Sequence, residues 1–134
     1  MPEDPKQLVR DAIAAFNERG VDGSLAYFHP DVEWYGPPDW IEDQVFRGHD
    51  GVREANDLFA RSYAEYRWRL EEVLDGRERV VALAHQLGRW EPGGNAVEQP
   101  VGLVLEVQAG KVWRVWTYLT WDEALEAEGL EPRG

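Results

Sequence analysis

The chain has no cysteine among its 134 residues. Disulfides, thiolate metal sites and a cysteine nucleophile are thereby excluded. Positive charge is also scarce: 14 Lys and Arg stand against 26 Asp and Glu, a net charge of −12. That balance argues against nucleic acid or an anionic membrane surface as a partner. No apolar run is long enough to span a membrane, and the opening MPEDPKQLVRDAIAAF lacks the apolar stretch of a signal peptide. A cytoplasmic location is the expectation these absences leave. The three histidines fall on different segments with no carboxylate spaced to assist them, so neither a metal nor another cofactor is expected. What is present suits one globular domain over residues 1–134, with 43% hydrophobic residues and enough length to bury a core.

From Pro5 to Arg19 the apolar residues Val9, Ile13 and Phe16, flanked by Leu8 and Ala12, recur at helical spacing, and Gly20 is placed to end the helix. A short second helix over Leu25 to Phe28 follows, capped by Asp22 or Ser24 and stopped by Pro30. Val32 to Tyr35 reads as a short strand. The loop from Asp39 to Arg47 carries Trp40, Ile41, Val45 and Phe46, which suggests a lid or a partner contact. Asp50 is placed to cap a third helix reaching about Ala64, with Val52, Ala55, Leu58 and Phe59 inward. Strands are expected from Tyr66 to Leu74, Val80 to Trp90, Gln99 to Val107 and Lys111 to Leu119. A helix over Trp121 to Glu128 closes the chain, with Gly129 at its end and Asp122 as the expected N-cap. Helix, helix, strand, helix and four antiparallel strands make an α+β fold with a curved sheet closed by helices.

Strand parity then assigns faces. Val101, Leu103, Leu105 and Val107 share one face, which is expected inward and carries Gln99 with it. By the same logic Val81, Leu83 and His85 are expected inward on the preceding strand, and Trp34 on the first. His85 is the sharpest chemical candidate, a lone titratable group in an apolar stripe. It reads either as a general acid or base, with an unperturbed pKa of about 6.5, or as a core histidine bonded to Gln99, Tyr66 or a water. His49 reads as a residue fixing its own loop, and His29 as a surface turn residue beside Pro30. Glu72 has inward parity near a strand end.

The order of elements, with Tyr27-Phe28-His29-Pro30-Asp31-Val32, Phe46-Arg47-Gly48-His49-Asp50-Gly51-Val52-Arg53, Gly110-Lys111-Val112 leading to Tyr118-Leu119, and Glu123 to Leu130, resembles the SnoaL-like branch of the nuclear transport factor 2-like superfamily. The resemblance implies a cone-shaped pocket, frequent homodimers, and activities from cyclases and isomerases to hydrolases and non-catalytic binders. It places Trp113, Val115, Thr117 and Leu119 inward on the last strand, and Arg114, Trp116 and Tyr118 outward. The chain departs from the family's known chemistries. The acids of steroid isomerase-like members fall near Gly36 and at Leu103. The aspartate of cyclase-like members falls at Thr117 and its polar neighbour at Trp34, and no inward Asp-Arg-Asp set exists for epoxide hydrolysis.

The expectation is therefore a pocket for a small apolar or aromatic molecule, bound by Trp34, Phe59, Tyr66, Trp68, Leu83, Gln99, Val101, Leu103, Val115 and Leu119. The alternatives are an isomerase or cyclase using His85 with Thr117, Gln99 or Tyr66, and a non-catalytic accessory dimer. A homodimer through the outer sheet face is expected to bury Trp116, Tyr118 and Val104.

Overall fold

A computed structural model describes residues 4–36, 45–61, 63 and 65–133, apart from the side chain of Phe59. Its elements are α1 (Pro5–Ser24), a 3-10 turn (Leu25–Tyr27), β1 (Phe28–Tyr35), β2 (Val45–Arg47), α2 (Gly48–Ala60), β3 (Glu65–Asp75), β4 (Val80–Arg89), β5 (Ala96–Gln108), β6 (Lys111–Tyr118) and α3 (Trp121–Ala127). The strands form one curved sheet in the order β2-β1-β6-β5-β4-β3. Neighbours run antiparallel except β1 and β6, which pair parallel. The expected α+β architecture is present.

Several boundaries differ, each for a local reason. Gly20, at φ 75, breaks the regular helix, but one more helical turn follows to Ser24. Its freedom to adopt a positive φ makes the kink possible. Pro30 does not end a helix. It lies within β1, where pairing with β6 slips between Phe28 and Glu33 and no ladder hydrogen bond from residue 30 is required. The end of the expected 39–47 loop is the strand β2, paired with Glu33 to Tyr35; residues 37–44 lie outside the described residues. α2 begins before Asp50, which sits in its first turn and pairs with Arg53, and it ends at Ala60. The N-cap of α3 is Thr120, not Asp122. Thr120 Oγ1 accepts from the Glu123 N–H while its own hydroxyl donates to the Glu123 carboxylate, a reciprocal cap. Asp122 instead accepts from the backbone N–H of Arg133.

Helices cover both faces of the sheet. α1 and α2 lie over one face, where Leu8, Val9, Val52, Trp68, Val101, Leu103, Leu105 and Val115 form the larger core. α3 covers part of the opposite face with a smaller core of Val81, Leu83, Val104, Ala124 and Leu125. Its approach is close: a Cβ on Gly102 would fall 2.6 Å from Ala124 Cβ. The sheet edge at β3 is closed by α1. Asn17 Nδ2–H donates to the Trp68 carbonyl (2.7 Å), and the Trp68 N–H donates to Asn17 Oδ1 (3.0 Å). A side-chain amide thereby stands in for a seventh strand, satisfying a half-buried donor and acceptor worth roughly 1 kcal/mol each.

Two bulges redirect side chains. Glu71 is the extra residue between Leu70 and Glu72 in the β3–β4 register. Tyr66, Trp68 and Leu70 therefore share a face with Val73, whereas Glu72 turns outward and pairs with Arg133 at 2.7 Å. Between Glu106 and Val107 the register slips again, making Trp113 the extra residue in β6.

Candidate functional site

Between the two N-terminal helices and the facing side of the sheet lies a cavity of about 70 Å³. α1 contributes Val9, Ala12, Ile13 and Phe16 to it, and α2 contributes Val52 and Asn56. The sheet side contributes Phe28, Trp34, Tyr66, Trp68, Leu103, Leu105 and Val112, and the last turn of α1 adds Val21 and Ser24. Amphipathic spacing turns the apolar stripe of α1 inward, and period-two alternation does the same for the strands.

Four of the expected ligand-contact residues, Trp34, Tyr66, Trp68 and Leu103, line this cavity. Val101 and Val115 are buried in the same core without lining it. Gln99 is on the same face at the exposed end of the sheet, opposite Gln86, and accepts from the Tyr63 hydroxyl at 3.4 Å. The side chain of Phe59 is outside the described residues. Leu119 follows the end of β6 and is 48% exposed, so it is no part of the wall. Trp113 also misses the cavity. The bulge gives its expected inward place to Val112, and its ring packs instead on His29, 4.7 Å between centroids.

β4 has the opposite facing to the one expected. Val80, Ala82 and Ala84 join the larger core, while Val81 and Leu83 are fully buried on the far side beneath α3. Both faces of the strand are covered, so the larger apolar residues are not a guide to the cavity side. The β4–β5 register does decide it, because Ala82 lies opposite Leu103 and Ala84 opposite Val101. His85 and Leu83 therefore sit across the sheet from the cavity.

His85 forms part of a polar cluster there. Its Nδ1 is 3.0 Å from Glu71 Oε1 and 3.3 Å from Arg69 Nη2, and its ring packs against Trp121 at 5.0 Å. Arg69 bridges Glu71 and Glu98. The guanidinium beside Glu71, helped by His85, holds that carboxyl below the usual carboxylate range. None of these groups reaches a molecule in the cavity. His49 Nε2 is 3.0 Å from the Phe28 carbonyl, tying α2 to β1, and His29 Nδ1 accepts from the Asp31 N–H. Among the described residues no cluster of His, Asp and Glu is disposed to hold a metal ion.

The hydroxyl of Thr117 is also committed. It accepts from Trp34 Nε1–H at 2.8 Å, is 1% exposed, and fixes the indole that lines the cavity. Besides the indole N–H groups of Trp34 and Trp68, the polar side-chain groups of the described lining residues are the Ser24 hydroxyl, the Asn56 amide and the Tyr66 hydroxyl. Ser24 donates to the Val21 carbonyl. Tyr66 accepts from Trp68 Nε1–H (2.8 Å) and Gln86 Nε2–H (3.0 Å), and burial pushes its pKa well up, so it stays protonated. No carboxylate, imidazole or basic group is among the described lining residues. Sequence reading named Phe59 on α2 but missed Val52 and Asn56 as lining residues and the whole contribution of α1; the helical stripe of Val9, Ile13 and Phe16 was the signal available.

Comparison with known proteins fits this geometry. Residues 9–115 match the model of the SnoaL-like domain. No protein of curated function matches the sequence significantly. Among solved structures, the chain is similar to TerC co-crystallised with polyporic acid, at 21% identity over 87% of this chain and 92% of TerC, with a TM-score of 0.71. An NTF2-like protein of unknown function from Burkholderia pseudomallei has 24% identity, coverage of 92% and 95%, and a TM-score of 0.69. A Catenulispora acidiphila protein with a ketosteroid isomerase-like fold, in complex with trimethylamine, has 12% identity, coverage of 95% of each chain and a TM-score of 0.69. At these identities the likeness is one of fold.

Proposed function

The chain belongs to the SnoaL-like domain family, and on that premise we propose that it binds a small apolar or aromatic molecule in the cavity between α1, α2 and the sheet, without transforming it. The carrying observation is the wall itself, aromatic and aliphatic with few polar groups and no described acid or base. A tyrosine whose pKa is raised by burial does not accept a proton near neutral pH. That TerC and the C. acidiphila protein were each crystallised with a small molecule is consistent with the reading.

The cavity volume of about 70 Å³ lies far below the roughly 300–1,000 Å³ of ordinary ligand sites. That is about half the roughly 150 Å³ of a cavity that holds benzene, so even a one-ring guest must displace side chains of α1 or α2. The same figure favours a second reading, an accessory protein whose own side chains fill the cone. Native mass spectrometry followed by tryptophan-fluorescence titration with hydroxylated aromatic and polyketide-like compounds separates the two. Trp34 and Trp68 line the cavity, so a retained ligand or a saturable fluorescence change is expected. An empty protein with no response overturns the binding function and leaves the accessory one.

We propose in addition that two copies pair through the sheet face opposite the cavity. Trp116 stacks on Tyr35 at 5.4 Å and lies 4.6 Å beneath the Arg79 guanidinium, with Tyr118 on the same face. Val104, expected with them, is instead covered by α3 and 3% exposed, so it is not available. Light scattering at micromolar concentration is expected to give twice the chain mass, and Trp116→Glu to halve it. A mass of one chain for the unaltered protein removes the dimer.

A further inference from the structure

The polar corner of the cavity is asymmetric in its hydrogen bonding. Tyr66 and Trp68 stand two residues apart on one face of β3, and Gln86 lies directly opposite Trp68 on β4. The Tyr66 oxygen receives the Trp68 indole N–H at 2.8 Å and the Gln86 amide N–H at 3.0 Å. These three side chains bring four polar hydrogens to two oxygens. With the bonds as placed, the Tyr66 O–H and the second Gln86 hydrogen have no acceptor within the trio. Turning the Gln86 amide over changes which two hydrogens are left, not their number. Gln86 Oε1 receives neither bond, so the trio offers two donors and one amide acceptor, and of these only the Tyr66 O–H belongs to a residue that lines the cavity.

It is also held rigidly. The Tyr66 ring meets Phe16 edge-on at 6.0 Å and stacks on Tyr63 at 5.4 Å. Opposite Tyr66 on β4 is Gly88, where a Cβ would lie 2.4 Å from Tyr63 Cδ1. Glycine there is what allows Tyr63 to lie against Tyr66. A donor fixed before the ligand arrives loses little freedom on binding.

We propose that Tyr66, positioned by Trp68 and Gln86, is a specificity-determining hydrogen-bond donor that selects aromatic ligands bearing an uncharged acceptor oxygen, such as a ketone or quinone carbonyl. This rests on the ligand-binding reading above and names the class of ligand. An aromatic hydrocarbon fills the same space but leaves the Tyr66 O–H without a partner. An ammonium ion brings a charge and no acceptor for the Tyr66 O–H, and no described carboxylate lines the wall to balance that charge. Burial keeps the Tyr66 hydroxyl protonated through the neutral range.

Three single-ring probes of nearly equal shape test it: cumene, acetophenone and 1-phenylethylammonium, with dissociation constants from ligand-observed NMR. Acetophenone is expected to bind about tenfold more tightly than cumene, the ratio set by one well-formed hydrogen bond, and the ammonium most weakly. Tyr66→Phe is expected to close the ratio, bringing acetophenone and cumene to similar dissociation constants. Gln86→Met, which keeps the volume but removes a hydrogen-bonding partner of Tyr66, is expected to narrow the ratio without abolishing it. If cumene and acetophenone bind equally, or the preference survives in Tyr66→Phe, the donor role is overturned while the binding function stands. If none of the three binds, the binding function itself fails, and this inference with it.

Discussion

Replacing Glu128 by alanine lowers the stability of the fold by about 3 kcal/mol at pH 7, because two backbone donors and a guanidinium lose their acceptor at once. Glu128 is 4% exposed at the end of α3. Its Oε1 accepts from the N–H groups of Glu78 (2.9 Å) and Arg79 (2.7 Å), and its Oε2 lies 3.4 Å from Arg79 Nη1. The carboxylate thus serves as the missing acceptor of the β3–β4 turn. Burial pushes its pKa up, but the two backbone N–H groups and Arg79 outweigh that and hold it below 4.5. The sign follows from linkage. A carboxylate depressed in the folded state contributes fully above its unfolded pKa and loses that contribution as pH falls through the folded one. Urea melts of the two proteins are expected to differ most at pH 7 and to converge towards pH 3. In a domain of this size the thermal midpoint falls by on the order of 10 °C. A difference that is the same at both pH values rules out the charged carboxylate as its source.

Leu83→Ala and Leu103→Ala are expected to cost similar amounts, about 3 kcal/mol each, since both leucines are buried and truncation leaves a void. Their effects on binding separate. Leu103 lines the cavity between the helices and the sheet, whereas Leu83 packs beneath α3 on the other face. Leu103→Ala enlarges the cavity and is expected to bind cumene more tightly, recovering part of its lost stability in the ligand's presence. Leu83→Ala is expected to leave cumene affinity unchanged. Equal gains in the two variants would place Leu83 on the cavity side and refute the facing of β4.

The same pair of residues shows how far the sequence could be read. Apart from β2 and the start of β1, element order and type were legible because they rest on local signals: helical spacing in α1, alternation in β3, and turn residues between strands. The faces of β5 were legible because glycine and charged residues alternate with its aliphatic ones. β4 gave no such contrast, being apolar on both sides. The Pro92-Gly93-Gly94-Asn95 turn nonetheless contained the answer. It pairs Arg89 with Ala96, and counting back from there sets Ala82 against Leu103. Reading each strand separately discarded that information and carried His85 to the wrong face. The bulges at Glu71 and Trp113 are different, since an extra residue in a ladder depends on both strands and leaves no mark in either. The donor corner of Tyr66, Trp68 and Gln86 was hidden in the same way, because it spans two strands whose faces had first to be matched.

The parallel pairing of β1 with β6 also sets an order of events for the folding chain. Trp34 donates to Thr117 across 83 residues, while β3, β4, β5 and β6 join through short turns to their neighbours. Closing so long a loop costs chain entropy that only the finished contact repays. The four-stranded meander is therefore expected to form early, and the N-terminal segment to dock on it late. Until it docks, the apolar faces of Leu103, Leu105 and Val112 lie open to water or to another chain. Collapse of the N-terminal helices onto that surface is both the step that creates the cavity and the step that ends the chain's period of greatest risk of aggregation.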